Sequence, residues 1–120
     1  MVLNTTRVVL FKQKTADETT SAPVDCSGFS SVVLYLIGEG TISAGSITYE
    51  EATTDPTHSE QTYGGTWSAI GSAVTASDVT GGKVKATHLA RGAYHLVRAR
   101  IDTAVEGAGG AVTAVLVASQ

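Results

Sequence analysis

The chain is predicted to fold as an all-β, two-sheet antiparallel sandwich of jelly-roll or immunoglobulin-like topology, with about seven or eight strands. Three observations lead there. Thr, Ser and Gly fill much of what the 42% hydrophobic residues leave, with charged residues held to 16%, a composition that favours strands over helices. Short apolar or alternating runs recur between turn-forming residues. No stretch carries a helical stripe, and the Ala76-Ser77-Asp78 region has room for one short turn at most.

The elements follow in order. Arg7-Val8-Val9-Leu10-Phe11 is apolar and β-branched, which suits a first strand or an ordered arm. Thr15 to Pro23 is polar and without periodicity, a connection running over the surface, and Asp25-Cys26-Ser27-Gly28 closes it as a turn. Residues 1–24 are therefore expected to form an N-terminal strand or arm plus its connection, and residues 25–120 the sandwich, in one domain overall. Ser31-Val32-Val33-Leu34-Tyr35-Leu36-Ile37-Gly38 is apolar at both alternating sets of positions, the pattern of a central strand covered on both sides. The alternation from Gly40 to Glu50 changes phase at Gly45-Ser46, which places a bulge or a turn there.

Glu51 to Gly65 has almost nothing to bury and forms the longest loop. Thr66 to Thr75 reads as a short strand with a kink at Gly71, and Ala76 to Gly82 as a turn. Lys83 to Leu89 alternates, with Val84, Ala86 and His88 on one side. Ala93 to Ile101 places Leu96, Arg98 and Arg100 on one face and Val97, Ala99 and Ile101 on the other. Glu106-Gly107-Ala108-Gly109-Gly110 has the composition of a hairpin loop joining that strand to Ala111–Ala118.

Chemistry has little foothold in these residues. Eight basic residues against eleven acidic, a formal charge of −3, leave no basic face to hold a phosphate backbone, so nucleic acid is not an expected partner. The apolar run Val32–Ile37 is far short of the roughly 20 residues that span a bilayer, and the amino terminus lacks the pattern of a secretory signal. A soluble protein made in a cytosol is expected. Cys26 is the only cysteine, which excludes an intrachain disulfide and a thiolate metal site. His58, His88 and His95 have no ligand spacing, no Gly-x-Ser-x-Gly elbow occurs, and Asp55, Glu60, Asp102 and Glu106 do not match a calcium loop. No enzyme activity, cofactor or metal is expected.

What remains are candidates for contact. Arg98 and Arg100 share a face of an otherwise apolar strand, where they need carboxylates: either Glu50 or Asp102 across the sheet, or those of a neighbouring subunit. Trp67, beside Tyr63, is either a core plug or an aromatic platform for a sugar ring. Phe11, in the amino-terminal patch, is a further interface candidate.

The run Asp25-Cys26-Ser27-Gly28-Phe29-Ser30-Ser31, then Gly38-Glu39-Gly40-Thr41-Ile42-Ser43-Ala44-Gly45 and Ile47-Thr48-Tyr49-Glu50, resembles small β-sandwich structural proteins of tailed-bacteriophage virions. Trp67-Ser68-Ala69-Ile70-Gly71, Val97-Arg98-Ala99-Arg100-Ile101 and the glycine-rich turn before Val112-Thr113-Ala114-Val115-Leu116 extend the resemblance over most of the chain from Asp25 onward. The resemblance implies a non-enzymatic virion component made in the host cytoplasm, either a capsid decoration or cement protein or a tail-associated one. Its implied partners are further copies of itself in a symmetric oligomer, such as a trimer, and the major capsid protein. A tail-fibre module binding a carbohydrate or receptor through Tyr63 and Trp67 is the alternative. No catalytic residues are implied.

Overall fold

The computed structural model describes residues 5–52, 67–89 and 96–120. Nine strand segments are present among them: β1 Thr5–Lys14, β2 Val24–Asp25, β3 Ser31–Glu39, β4 Ala44–Ala52, β5 Ser68–Ala69, β6 Val74–Thr75, β7 Val84–His88, β8 Leu96–Glu106 and β9 Ala111–Ser119. They form two antiparallel sheets, one ordered β1-β9-β3-β7 and the other β2-β8-β4-β5, with β6 also on β4. The fold is the expected all-β sandwich.

The topology resolves in favour of the jelly roll. β5 and β6 flank Gly71, whose φ is +68°, and both pair with β4, so they act as one interrupted strand. With that strand counted once, β1 pairs with the last strand, β2 with β8, β3 with β7 and β4 with β5. This is a long ribbon folded on itself, and the β3–β9 and β4–β8 pairings then close each sheet.

Alternation along the strands builds the core. Val32, Leu34 and Leu36 of β3, Val112, Ala114 and Leu116 of β9, Ile47 and Tyr49 of β4, and Val97, Ala99 and Ile101 of β8 fill the space between the sheets. Gly38 lies where Val79 of the 3₁₀ segment Ala76–Gly82 crosses β3, and a Cβ there would stand 2.0 Å from the Val79 carbonyl oxygen. Gly45, with φ +130°, takes the phase change within β4 as a bulge against β8.

Three sequence expectations change. The glycine loop after Glu106 does not form a hairpin: β8 and β9 belong to different sheets, and the loop carries the chain from one layer to the other. Gly107, with φ +134°, packs so closely on the Thr41 carbonyl that a Cβ would lie 2.0 Å from its oxygen, and Thr41 N–H donates to the Ala108 carbonyl at 3.1 Å. β3 is central but is covered within the chain on one side only, that of Val32, Leu34 and Leu36; Val33, Tyr35 and Ile37 on its other side are half-buried. Phe11 points inward and is 6% exposed, because a register shift after Val9 turns it into the core against Ala114.

The amino-terminal segment serves both sheets. β1 is an edge strand along β9, and the polar connection after it then runs beside β8. Glu18 N–H donates to the Ile101 carbonyl and Ile101 N–H to the Thr19 carbonyl, both at 2.9 Å, and Ser21 N–H donates to the Ala99 carbonyl at 2.9 Å. The turn that follows is closed by Asp25, whose carboxylate accepts from the Ser27 N–H at 2.9 Å.

Candidate functional site

The two outer faces of the sandwich differ in kind. On the β2-β8-β4-β5 sheet, β4 and β8 set Glu50 opposite Arg98 and Thr48 opposite Arg100. Arg98 Nε donates to Glu50 Oε1 at 2.9 Å, and Arg100 Nε lies 3.4 Å from Glu50 Oε2, so one carboxylate serves both guanidinium groups. Arg100 also reaches Asp102 at 2.6 Å and Glu18 at 3.8 Å, and Asp102 accepts from the Thr48 hydroxyl. Glu50 is 7% exposed. Such a carboxylate is tolerated out of water because two cations and their hydrogen bonds replace its hydration.

Of the five residues singled out from the sequence, three meet here. Arg98 and Arg100 share the carboxylate, and the Arg98 guanidinium carbon lies 4.2 Å from the centroid of the Trp67 ring, within cation–π range. Trp67 is half-buried and outside the core. Of the two carboxylates named from the sequence as cross-strand partners, Glu50 is one, while Asp102 pairs with Arg100 from two residues along the same strand, β8. Glu18 joins them through the course of the amino-terminal segment along β8, which strand alternation does not report. Phe11 is in the core, and Tyr63 lies outside the described residues.

The opposite face, on the β1-β9-β3-β7 sheet, was not singled out from the sequence. Registry places Val9, Val115, Tyr35 and Ala86 in one row across all four strands. The row on one side of it is Arg7, Val117, Val33 and His88, and that on the other holds Thr113, Ile37 and Val84. Val9 and Val84, 49% and 57% exposed, are the exposed large apolar residues among those described, and both stand on this face. The signal was available: β3 is apolar at both alternating sets of positions, and only one set is used inside the chain.

Two titratable groups lie inside the sandwich. Burial, with a smaller contribution from the Asp25 charge, pushes the Cys26 thiol up to about 11, and burial alone raises the Tyr49 hydroxyl. Among the described residues, no three His, Cys, Asp or Glu side chains are grouped as a metal site, and no helix is long and apolar enough to cross a membrane.

Fold and faces define a class: a jelly-roll sandwich with one ion-paired outer face and one apolar outer face. Among solved structures, it is similar to the crystal structure of SPBc2 prophage-derived protein YomS, with a TM-score of 0.66 at 12% identity over 100% of this chain and 96% of that one. At that identity the likeness is one of fold. No protein-family description matches the chain, and no curated protein matches it.

Proposed function

We propose that the chain is a non-enzymatic structural protein of a bacteriophage virion, and within that class a capsid decoration or cement protein that acts by contact. The observation that carries the reading is the end-to-end correspondence of fold with a prophage-derived protein, the two chains covering each other almost completely. A jelly roll presents faces and edges as working surfaces, and an apolar sheet face is suited to adding buried area at a junction. Additional buried area stabilises an assembly by mass action, because the subunit binds the assembled state and not the dispersed one.

The test is made on particles of the phage or prophage whose genome encodes the chain. Mass spectrometry of purified virions should find it in many copies per particle, and heads from a deletion strain should open at lower temperature than wild-type heads. Its absence from virions overturns the reading. Its presence on tails, with unchanged head stability and glycan binding that Trp67→Ala abolishes, favours the tail-fibre module instead.

A further inference from the structure

We propose that the outer face of the β1-β9-β3-β7 sheet is the seat of a second copy of this chain, the two packing sheet against sheet about a two-fold axis. The proposal deepens the structural reading above by naming the surface through which copies meet.

Size supports it first. Four strands spaced about 4.8 Å apart and three rows of side chains at about 6.8 Å give a largely apolar centre of about 360 Å² in plan, in which Val115 is covered by its neighbours and Val9, Tyr35, Ala86 and Val84 supply accessible surface. Including the flanking row Thr5, Ser119 and Ser31 and the far end at Ala111 and Glu39, the face grows to about 520 Å² in plan. Specific interfaces begin at about 600 Å² per partner, with an apolar centre and a polar rim; this face has that composition and stands at the lower limit of that size.

Charge and shape then identify the occupant. The central row, Val9, Val115, Tyr35 and Ala86, carries no charge, and Arg7 and His88 stand only at the two ends of the next row, so two copies bring no like charges together at the centre. The net charge of −3 opposes seating the same face on an anionic lipid surface. Two copies of one twisted sheet match each other in pleat and twist, which is the packing the chain already uses between its own layers.

Edge-to-edge pairing is the other way a sheet could recruit a copy, and β1 opposes it. Its ladder with β9 is broken by register shifts between Val9 and Phe11 and between Phe11 and Lys14, Gln13 has φ +53°, and Lys12 and Lys14 stand along it. Bulges and lysines are the devices by which edge strands avoid addition of another strand. The face remains.

Sedimentation equilibrium on the full chain tests the proposal. The wild type should have an even multiple of the 12.3 kDa chain mass. The double variant Val9→Lys/Val84→Lys, at two exposed positions, should keep its circular dichroism spectrum and halve that mass, with dissociation at least tenfold easier. Arg98→Ala, on the opposite face, should leave the mass unchanged. A monomeric wild type, an odd multiple, or a mass the double variant does not lower overturns the proposal, as does a monomer that co-floats with phosphatidylcholine vesicles. Should the double variant not fold, Tyr35→Glu takes its place with the same outcomes. A dimer that obeys these rules yet is missing from virions retains the interface and overturns only the virion reading.

Discussion

Glu50 accepts a hydrogen bond from Arg98 at 2.9 Å, and the same guanidinium lies 4.2 Å from the Trp67 ring centroid, so one cation is held between a carboxylate and an aromatic face. Arg100 takes the other oxygen of Glu50 at 3.4 Å. The carboxylate is the hub: removing it leaves two guanidinium groups that have lost a shared anion, whereas removing Arg98 leaves Glu50 still paired with Arg100.

Glu50→Gln is therefore expected to cost more than Arg98→Ala. Breaking a buried ion pair costs about 3–5 kcal/mol; with the arginines 22% and 29% exposed, solvent recovers part of that, and about 2–3 kcal/mol is expected. Arg98→Ala should cost about 1–2 kcal/mol, through the lost pair and the lost stacking on Trp67. Asp78→Asn, whose pair with Lys85 has side chains 48% and 51% exposed, should change stability by under about 0.5 kcal/mol. Urea denaturation of the three variants checks the order; an Arg98 effect above the Glu50 effect would remove the hub.

Gly38→Ala tests the contact that seats the 3₁₀ segment. The added methyl would meet the Val79 carbonyl oxygen at 2.0 Å and its carbon at 2.8 Å, both backbone atoms that cannot rotate away. Overpacking of this kind costs about 1–3 kcal/mol, so the midpoint of thermal unfolding should fall by several degrees. Gly28→Ala is not a neutral control despite open space around it, because its φ of +86° penalises any Cβ. Ala16→Ser, exposed in the connection after β1, is the better reference, and equal loss at positions 38 and 16 would refute the contact.

How much of this was legible in the sequence depends on the range of the interaction. The faces of β8 were readable because alternation is local: Val97, Ala99 and Ile101 are fully buried, and Arg98 and Arg100 stand out with the carboxylates named for them. The bulge at Gly45 was readable for the same reason. The glycine loop after Glu106 was misread because glycine reports a turn without reporting where the chain goes next; the decision is made by β9, which pairs with β1 and β3. Phe11 was misplaced because a register shift after Val9 alters which side faces in, and a shift of one residue exchanges the faces. The apolar outer sheet face escaped notice because it is assembled from strands far apart in sequence, although β3 carried the sign of it.

Tyr49→Phe is expected to leave stability unchanged or to raise it by about 1 kcal/mol. The ring is 1% exposed in the core, and among the described residues its hydroxyl has no hydrogen-bond partner. Deleting a buried hydroxyl without a partner removes a desolvation penalty and no bond. Chemical denaturation gives the sign directly, and a loss above about 1 kcal/mol would mean the hydroxyl is bonded.

Alkaline pH should weaken the fold from about pH 9 upward, and Cys26 should account for a measurable part. Its thiol is raised from 9.0 to about 11 by burial first and the Asp25 charge second. Below pH 9 the thiol is protonated in both the folded and unfolded chain and contributes no pH dependence. Between pH 9 and pH 11 the unfolded chain loses this proton while the folded chain keeps it, so proton release favours unfolding and stability falls as pH rises. Two pH units correspond to about 2–3 kcal/mol at the top of that window. Tyr49, raised by burial, adds to the loss in the same direction at higher pH. Cys26→Ala should be less stable than wild type at pH 7, through a small cavity, yet flatter between pH 9 and pH 11, so the two stability curves converge. Parallel curves would show that the thiol does not titrate differently on folding. Alkylation by iodoacetamide at pH 8 gives the kinetic counterpart: the folded chain should react far more slowly than the urea-unfolded chain, because a fully buried thiol with a raised pKa offers little thiolate and no access.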